Sequence, residues 1–164
     1  MAITTVGVYL GYATPQTSAN LNEPADTYTK LCDITDFPDM EGELERTETT
    51  TLSEKIARTY KKTLRNSSDL VFTANYNKAE YLAIQQLQDT DDIQFCLLLE
   101  QDNSLFYWAG DVAVGLTGGG LGETVRMNVT CVASKPVRLA ATGGQATNYY
   151  YNESTKEIST QAPV

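Results

Sequence analysis

The 164-residue sequence has no histidine, no run of more than five apolar residues, no closely spaced cysteines, and only 12 Lys and Arg against 21 Asp and Glu. Each shortage excludes something. Without histidine, the side chain that titrates near neutral pH and the commonest metal ligand are both missing, so Ser-His-Asp, Cys-His and His-metal chemistry is ruled out. Catalysis would have to rest on carboxylates, Lys or Cys alone, and no spacing singles out such a group. The chain therefore reads as a non-enzyme without cofactor or metal. Its longest aliphatic and aromatic stretch, Phe95–Leu99, is far short of the roughly 20 residues that cross a bilayer, so no membrane segment is expected. No Lys or Arg precedes the first apolar residues, which is not the pattern of a secretory signal, and synthesis in a cytoplasm is the expectation. Cys32, Cys96 and Cys131 are odd in number and lie in strand-like segments, which predicts buried free thiols. A net charge of -9 argues against affinity for phosphate backbones.

What is present points to β structure. Thr occurs 22 times and Tyr 10 times, both residues that favour a pleated surface. Leu70, Phe72, Ala74 and Tyr76 alternate with Asp69, Val71, Thr73 and Asn75, the pattern of a half-buried strand. Val125, Met127, Val129, Cys131 and Ala133 alternate likewise with polar neighbours. DIQFCLLLE and SLFYWAGDVAV flank the polar turn Gln101, Asp102, Asn103 and predict an antiparallel hairpin. Further strands are expected about Tyr28 to Thr35, Leu44 to Thr50 and Ile56 to Thr63. One helix is predicted, capped by Asn77 with Glu80 in capping-box position, burying Ala79, Leu82, Ala83 and Leu87 and ending near Gln88. Residues 11–27, the glycine-rich Gly115–Gly122 and residues 142–164 read as irregular, although Tyr149, Tyr150 and Tyr151 suit a terminal strand. The predicted fold is mainly β: a two-sheet sandwich or partly open barrel with one short helix packed on its side. Its divisions are an N-terminal arm (1–27), a β domain (28–141) and a C-terminal extension (142–164).

Charge is distributed in blocks. Asp33, Asp36, Asp39, Glu41, Glu43, Glu45, Glu48 and Glu54 face only Arg46 over one stretch, a local balance of -7. Lys55, Arg58, Lys61, Lys62 and Arg65 follow with no acid among them, a balance of +5. Adjacent patches of opposite sign suit head-to-tail association of identical copies, or pair within one subunit. The glycine loop lacks the Lys-Ser/Thr of a phosphate-binding loop. Asp89, Asp91 and Asp92 lack the pattern of a calcium loop and read as a solvated turn. The basic block with Tyr60 would pass as a strip for a nucleic-acid backbone, but the acidic block beside it opposes that use.

The order of features resembles the major tail tube protein of long-tailed, siphovirus-like bacteriophages. The resemblance is carried by TKLCDITDFPD, then GELERTETTTLSEKIARTYKKTL, then SDLVFTANYNKAEYLAIQQLQ, followed by DIQFCLLLEQDNSLFYWAGDVAV and VRMNVTCVAS, and it covers roughly residues 28–140. It implies a structural virion protein, made in the bacterial cytoplasm and carried in the tail. Six copies would form a ring, and rings would stack into a hollow tube through which double-stranded DNA passes without specific binding. Tape-measure and terminator proteins would be its other partners. In that family a long loop after the second strand reaches a neighbouring subunit. Carried over here, the loop spans about Asp39 to Arg65, making Asp39, Glu41, Glu43, Glu45, Glu48, Lys55, Arg58, Lys61, Lys62 and Arg65 the expected subunit-interface residues. The competing readings are another virion component, such as a tail terminator or decoration protein, and a soluble β-sandwich binding module using Trp108 or Tyr149 to Tyr151 as contact aromatics.

Overall fold

The computed structural model describes residues 7–13, 23–40, 42–48, 60–67 and 69–162, with 42–48 and 60–67 described by backbone alone. In chain order the elements are β1 (Val8–Ala13), β2 (Thr27–Cys32), β3 (Ile34–Asp36), β4 (Gly42–Glu48), β5 (Tyr60–Ser67), β6 (Leu70–Asn75), α1 (Lys78–Leu87), β7 (Ile93–Leu99) and β8 (Ser104–Thr117). There follow β9 (Arg126–Leu139), β10 (Ala141–Thr142), β11 (Gln145–Ala146), β12 (Tyr150–Asn152) and β13 (Glu157–Ser159). Nine strands form one sheet in the order β12-β13-β2-β1-β7-β8-β9-β6-β3, while β4–β5 and β10–β11 pair as separate hairpins.

Of the two forms expected, the partly open barrel is the one found: a single sheet curls into a half-barrel, and no second sheet faces it among the described residues. The connectivity shows how. β2 and β3 are separated in sequence only by Asp33, yet β2 bonds to β1 and β3 bonds to β6 at the far edge of the sheet. One bent segment therefore borders both ends of the run β1-β7-β8-β9-β6 and draws them together. The β8–β9 pair supplies curvature, because its register slips between Tyr107 and Ala109 and again between Ala109 and Gly110. Bulges bend a strand and increase its twist. Pro136, which would interrupt a regular ladder, falls in the first slip, where Tyr107 opposes Arg138 and Ala109 opposes Lys135. Gly110 sits at the second, where a Cβ would lie 2.0 Å from the Val132 carbonyl oxygen.

The concave face encloses Leu10, Leu31, Phe72, Phe95, Leu97, Trp108, Met127 and Val129. Trp108 stacks with Phe72 and Phe95 at centroid distances of 5.7 and 6.2 Å. A second cluster lies on the opposite face, built from Tyr28, Cys96, Leu98, Leu105, Tyr107, Tyr149 and Ile158. β7 is thus buried on both faces, which explains why its sequence is a continuous apolar run rather than an alternation.

Three sequence expectations are corrected. Val8–Ala13 is not part of an irregular arm: it is β1, in the middle of the sheet between β2 and β7. Glycine at position 11 suits that place, because a Cβ there would meet Cys96 Sγ at 3.0 Å and Thr29 O at 3.1 Å. The residues beyond 142 are likewise integral, since β13 pairs with β2 and Tyr149 and Ile158 are buried. α1 begins as expected, with Asn77 Oδ1 accepting from the N–H groups of Ala79 and Glu80 at 3.0 and 3.4 Å. It turns a different face inward, however: Ile84 is fully buried with Tyr81 and Leu87 beside it, whereas Leu82 is 54% exposed and Ala79 and Ala83 face water. Glu80 accepts from the Asp33 N–H, tying the helix start to the bend between β2 and β3.

Candidate assembly surfaces

Of the charged residues expected at an interface, Glu43, Glu45 and Glu48 lie on β4 and Lys61, Lys62 and Arg65 on β5, which pair antiparallel. Asp39 is exposed just before β4. Glu41, Lys55 and Arg58 fall outside the described residues. The structure brings the two charge blocks onto one hairpin, but its register does not set acid against base. Lys61 opposes Thr47, Lys62 opposes Arg46, and Arg65 opposes Leu44. Arg46 and Lys62 are like charges in directly opposed positions, an arrangement that destabilises a hairpin standing alone.

At the upper end of the barrel β8 and β9 run on past the end of β7, while β6 stays paired with β9 as far as Arg126. β7 accompanies β8 only from Ser104 to Gly110. Beyond that point α1 lies alongside instead, with Gln88 Oε1 accepting the Val114 N–H at 3.0 Å and Asp111 Oδ1 accepting the Asp92 N–H at 3.3 Å. The glycine-rich stretch forms the tip. Gly120 to Glu123 make a tight turn: the Glu123 N–H reaches Gly120 O at 3.3 Å, and Glu123 Oε2 accepts the Gly120 N–H at 2.9 Å. Gly122 has φ +80°, which fits the third position of a type II turn and needs glycine. Leu121 is thereby held at the corner, fully exposed, with Leu116 and Val125 below it at 61% and 54% exposure.

The lower end carries an apolar groove of about 280 Å³ lined by Phe37, Pro38, Met40, Leu97, Leu99 and Phe106, with Asp39 among them. Sequence reasoning missed it, because Phe37–Met40 reads as a turn around Pro38. The available signal was the spacing of Phe37 and Met40, two large apolar side chains in an otherwise acidic segment.

Of the aromatic contact residues expected of a binding module, Trp108 and Tyr149 are not available, while Tyr150 and Tyr151 are half-buried. Trp108 is 1% and Tyr149 2% exposed, and both sit in core clusters. Tyr151 instead stacks on Tyr9 with 4.1 Å between centroids, and the Lys30 ammonium lies 5.7 and 5.6 Å from those two rings while pairing with Asp33. The three cysteines are free and buried, as expected. Burial pushes the Cys32 and Cys131 thiols up to about 12 and Cys96 well above its ordinary value, so none is a nucleophile at neutral pH.

No family model matches the chain, and no curated protein matches it. Solved structures do. A chain in the cryo-EM structure of the anti-feeding prophage cap, the tube terminating cap, superposes with TM-score 0.57 at 8% identity over 87% of this chain and 93% of that one. A chain of the anti-feeding prophage baseplate gives TM-score 0.59 at 11% identity, covering 87% and 99%. A chain of the sheath–tube complex of an extracellular contractile injection system in its extended state gives 0.58 at 8% identity, covering 86% and 93%. At such identities the likeness is one of backbone, and it spans nearly the whole of each chain. The protein has a fold that recurs in the particles of contractile injection systems.

Proposed function

We propose that this chain is a structural component on the axis of a phage tail-like particle, where identical copies associate into rings. The observation that carries the reading is the fold itself, shared over 86–87% of this chain with components of such particles. The β4–β5 hairpin supports it: two blocks of opposite charge whose backbone register leaves like charges opposed gain by meeting a neighbouring copy. Six copies per ring, as the tail-tube resemblance implies, is the expected stoichiometry.

Two positions along the axis fit. A tube subunit repeats and stacks; a terminator forms one ring that ends the tube. The terminal position is the better supported by the comparisons, since two of the similar chains come from structures described as a tube terminating cap and a sheath/tube terminator. Transit of double-stranded DNA, with tape-measure protein inside the tube, belongs to the tube reading. A net charge of -9 suits it, because a wall poor in Lys and Arg releases few counterions and holds a passing polyanion weakly.

Electron microscopy and sedimentation of the purified protein across concentration and salt separate the cases. Rings that stop at one layer indicate a terminator, stacks indicate a tube, and a monomer under every condition refutes both. Lys61→Glu combined with Lys62→Glu is expected to abolish rings while leaving the circular dichroism spectrum unchanged. Normal rings from that variant would remove the basic block from the interface.

A further inference from the structure

The tip of the β8–β9 hairpin and the groove at the lower end of the barrel lie on the same strand, pointing opposite ways. Phe106 lines the groove and Thr117 ends β8 beneath the tip, eleven residues later, or about 37 Å at the usual strand rise. At the top is a compact convex apolar point, Leu121 with Leu116 and Val125. At the bottom is a concave apolar one, extended along the sheet by Leu139, which opposes Phe106 in the ladder and is 42% exposed. One pair of charges is complementary as well: exposed Arg126 adjoins the tip, and exposed Asp39 lines the groove.

We infer that the tip of one copy, Leu121 foremost, seats in the Phe37–Met40–Phe106 groove of the copy above it, forming the axial contact between successive layers. This rests on the ring-forming reading and, of the two positions given under Proposed function, on the tube, and it adds which surfaces meet between layers. The contact is heterologous, since tip and groove differ, and a heterologous contact without rotational closure extends indefinitely. Its axial repeat is set by the rise of β8, about 37 Å before strand tilt, together with the reach of the turn from Thr117 to Leu121. The turn geometry explains why the tip is built from glycines. Gly122 at φ +80° and the Gly120–Glu123 bonds place one aliphatic side chain at the corner, and the small residues around it let the groove walls close on the backbone. Three exposed aliphatic residues at one hairpin tip suit an interaction surface.

Leu121→Asp tests the contact at a fully exposed position that no fold contact needs. The protein is expected to melt as wild type and still form rings that no longer stack at accessible concentrations, since each contact weakens roughly tenfold to a hundredfold, the worth of one buried leucine, and a ring makes one per copy. A second variant reads the geometry directly. With Leu121→Cys and Met40→Cys in one chain, oxidation should give a ladder of dimers, trimers and longer species on a non-reducing gel, against a low background because the native thiols are buried. Equal stacking by Leu121→Asp overturns the inference and leaves the ring-forming reading standing. So do oxidation products limited to dimers, which would mean tip-to-tip contact, or no cross-linking in stacked protein. Wild-type rings that never stack overturn it too, leaving the terminator reading intact, and a monomer under every condition overturns both.

Discussion

Replacing Gln94 with leucine removes a polar group buried within a hydrogen-bond network. Gln94 lies on β7 with none of its surface exposed. Its Oε1 accepts from the Ala25 N–H at 3.0 Å and from the Tyr28 hydroxyl at 2.9 Å, and its Nε2 donates to Glu23 O at 2.7 Å. Tyr28 in turn accepts from the same Ala25 N–H at 2.9 Å, and the Tyr149 hydroxyl donates to Ala25 O at 2.9 Å. Leucine nearly preserves the volume, so the cavity term is small and the loss is polar. The Ala25 N–H keeps Tyr28 as acceptor and the exposed Glu23 carbonyl can turn to water, but the Tyr28 hydroxyl proton is left buried without an acceptor. One unsatisfied donor at about 1–3 kcal/mol and two further bonds at about 1 kcal/mol net each give a cost of about 3–5 kcal/mol. Against a total stability of about 5–15 kcal/mol this is readily measured, by urea unfolding followed through the fluorescence of the single tryptophan in the core. Tyr28→Phe removes the stranded proton but also the second acceptor of the Ala25 N–H, so in that background Gln94→Leu strands the Ala25 N–H instead and should cost about as much as in the wild type. A change under about 0.5 kcal/mol in the single variant would refute the network as described.

Other perturbations have equally definite outcomes. Gly110→Ala puts a methyl group against the backbone carbonyl of Val132, which no rotamer relieves, and should cost about 3 kcal/mol in the same urea assay. Asn77→Ala removes the acceptor for two N–H groups at the start of α1 and should cost about 1 kcal/mol, with faster hydrogen exchange confined to the first helical turn. Burial raises the Cys32 and Cys131 thiols from 9.0 to about 12, and the Tyr149 phenol from 10.0 to about 12. The unfolded chain therefore ionises first: stability from these groups is intact below about pH 9 and falls as pH rises toward 12, by up to about 1.4 kcal/mol per pH unit for each group. The urea midpoint should drop between pH 8.5 and 10.5 more steeply than in a Cys32→Ala, Cys131→Ala variant; equal slopes would assign the alkaline loss to other groups.

The parts of the fold visible in the sequence were those whose periodicity is local. The alternation through β6, the paired runs of β7 and β8 around a polar turn, and the Asn77 cap each involve residues close in the chain. β1 was hidden because VYLGYA is short, carries a glycine and owes its strand character to partners far away, β2 on one side and β7 on the other. The buried face of α1 was misassigned for a similar reason. Ala79, Leu82, Ala83 and Leu87 form one apolar stripe and Tyr81, Ile84 and Leu87 another, and only the sheet beneath decides between them. Among the surfaces, the charge blocks were legible because charge is countable. The groove was not, because its walls come from three separate segments that the curl of the sheet brings together.

The docking of β13 on β2 bears on biosynthesis. Ile158 opposes Tyr28 in the ladder and is fully buried, and the Lys30 N–H is bonded to Lys156 O. An early strand thus waits for one of the last to cover its outer edge. A nascent chain cannot complete its sheet until the residues around 158 have left the ribosome, and until then Thr27–Cys32 offers a bare row of N–H and C=O groups to any passing strand. A chain broken off before residue 157 lacks that cover permanently. Such fragments keep a sheet edge open to strand addition, so the closing strand protects the folded chain from pairing at β2.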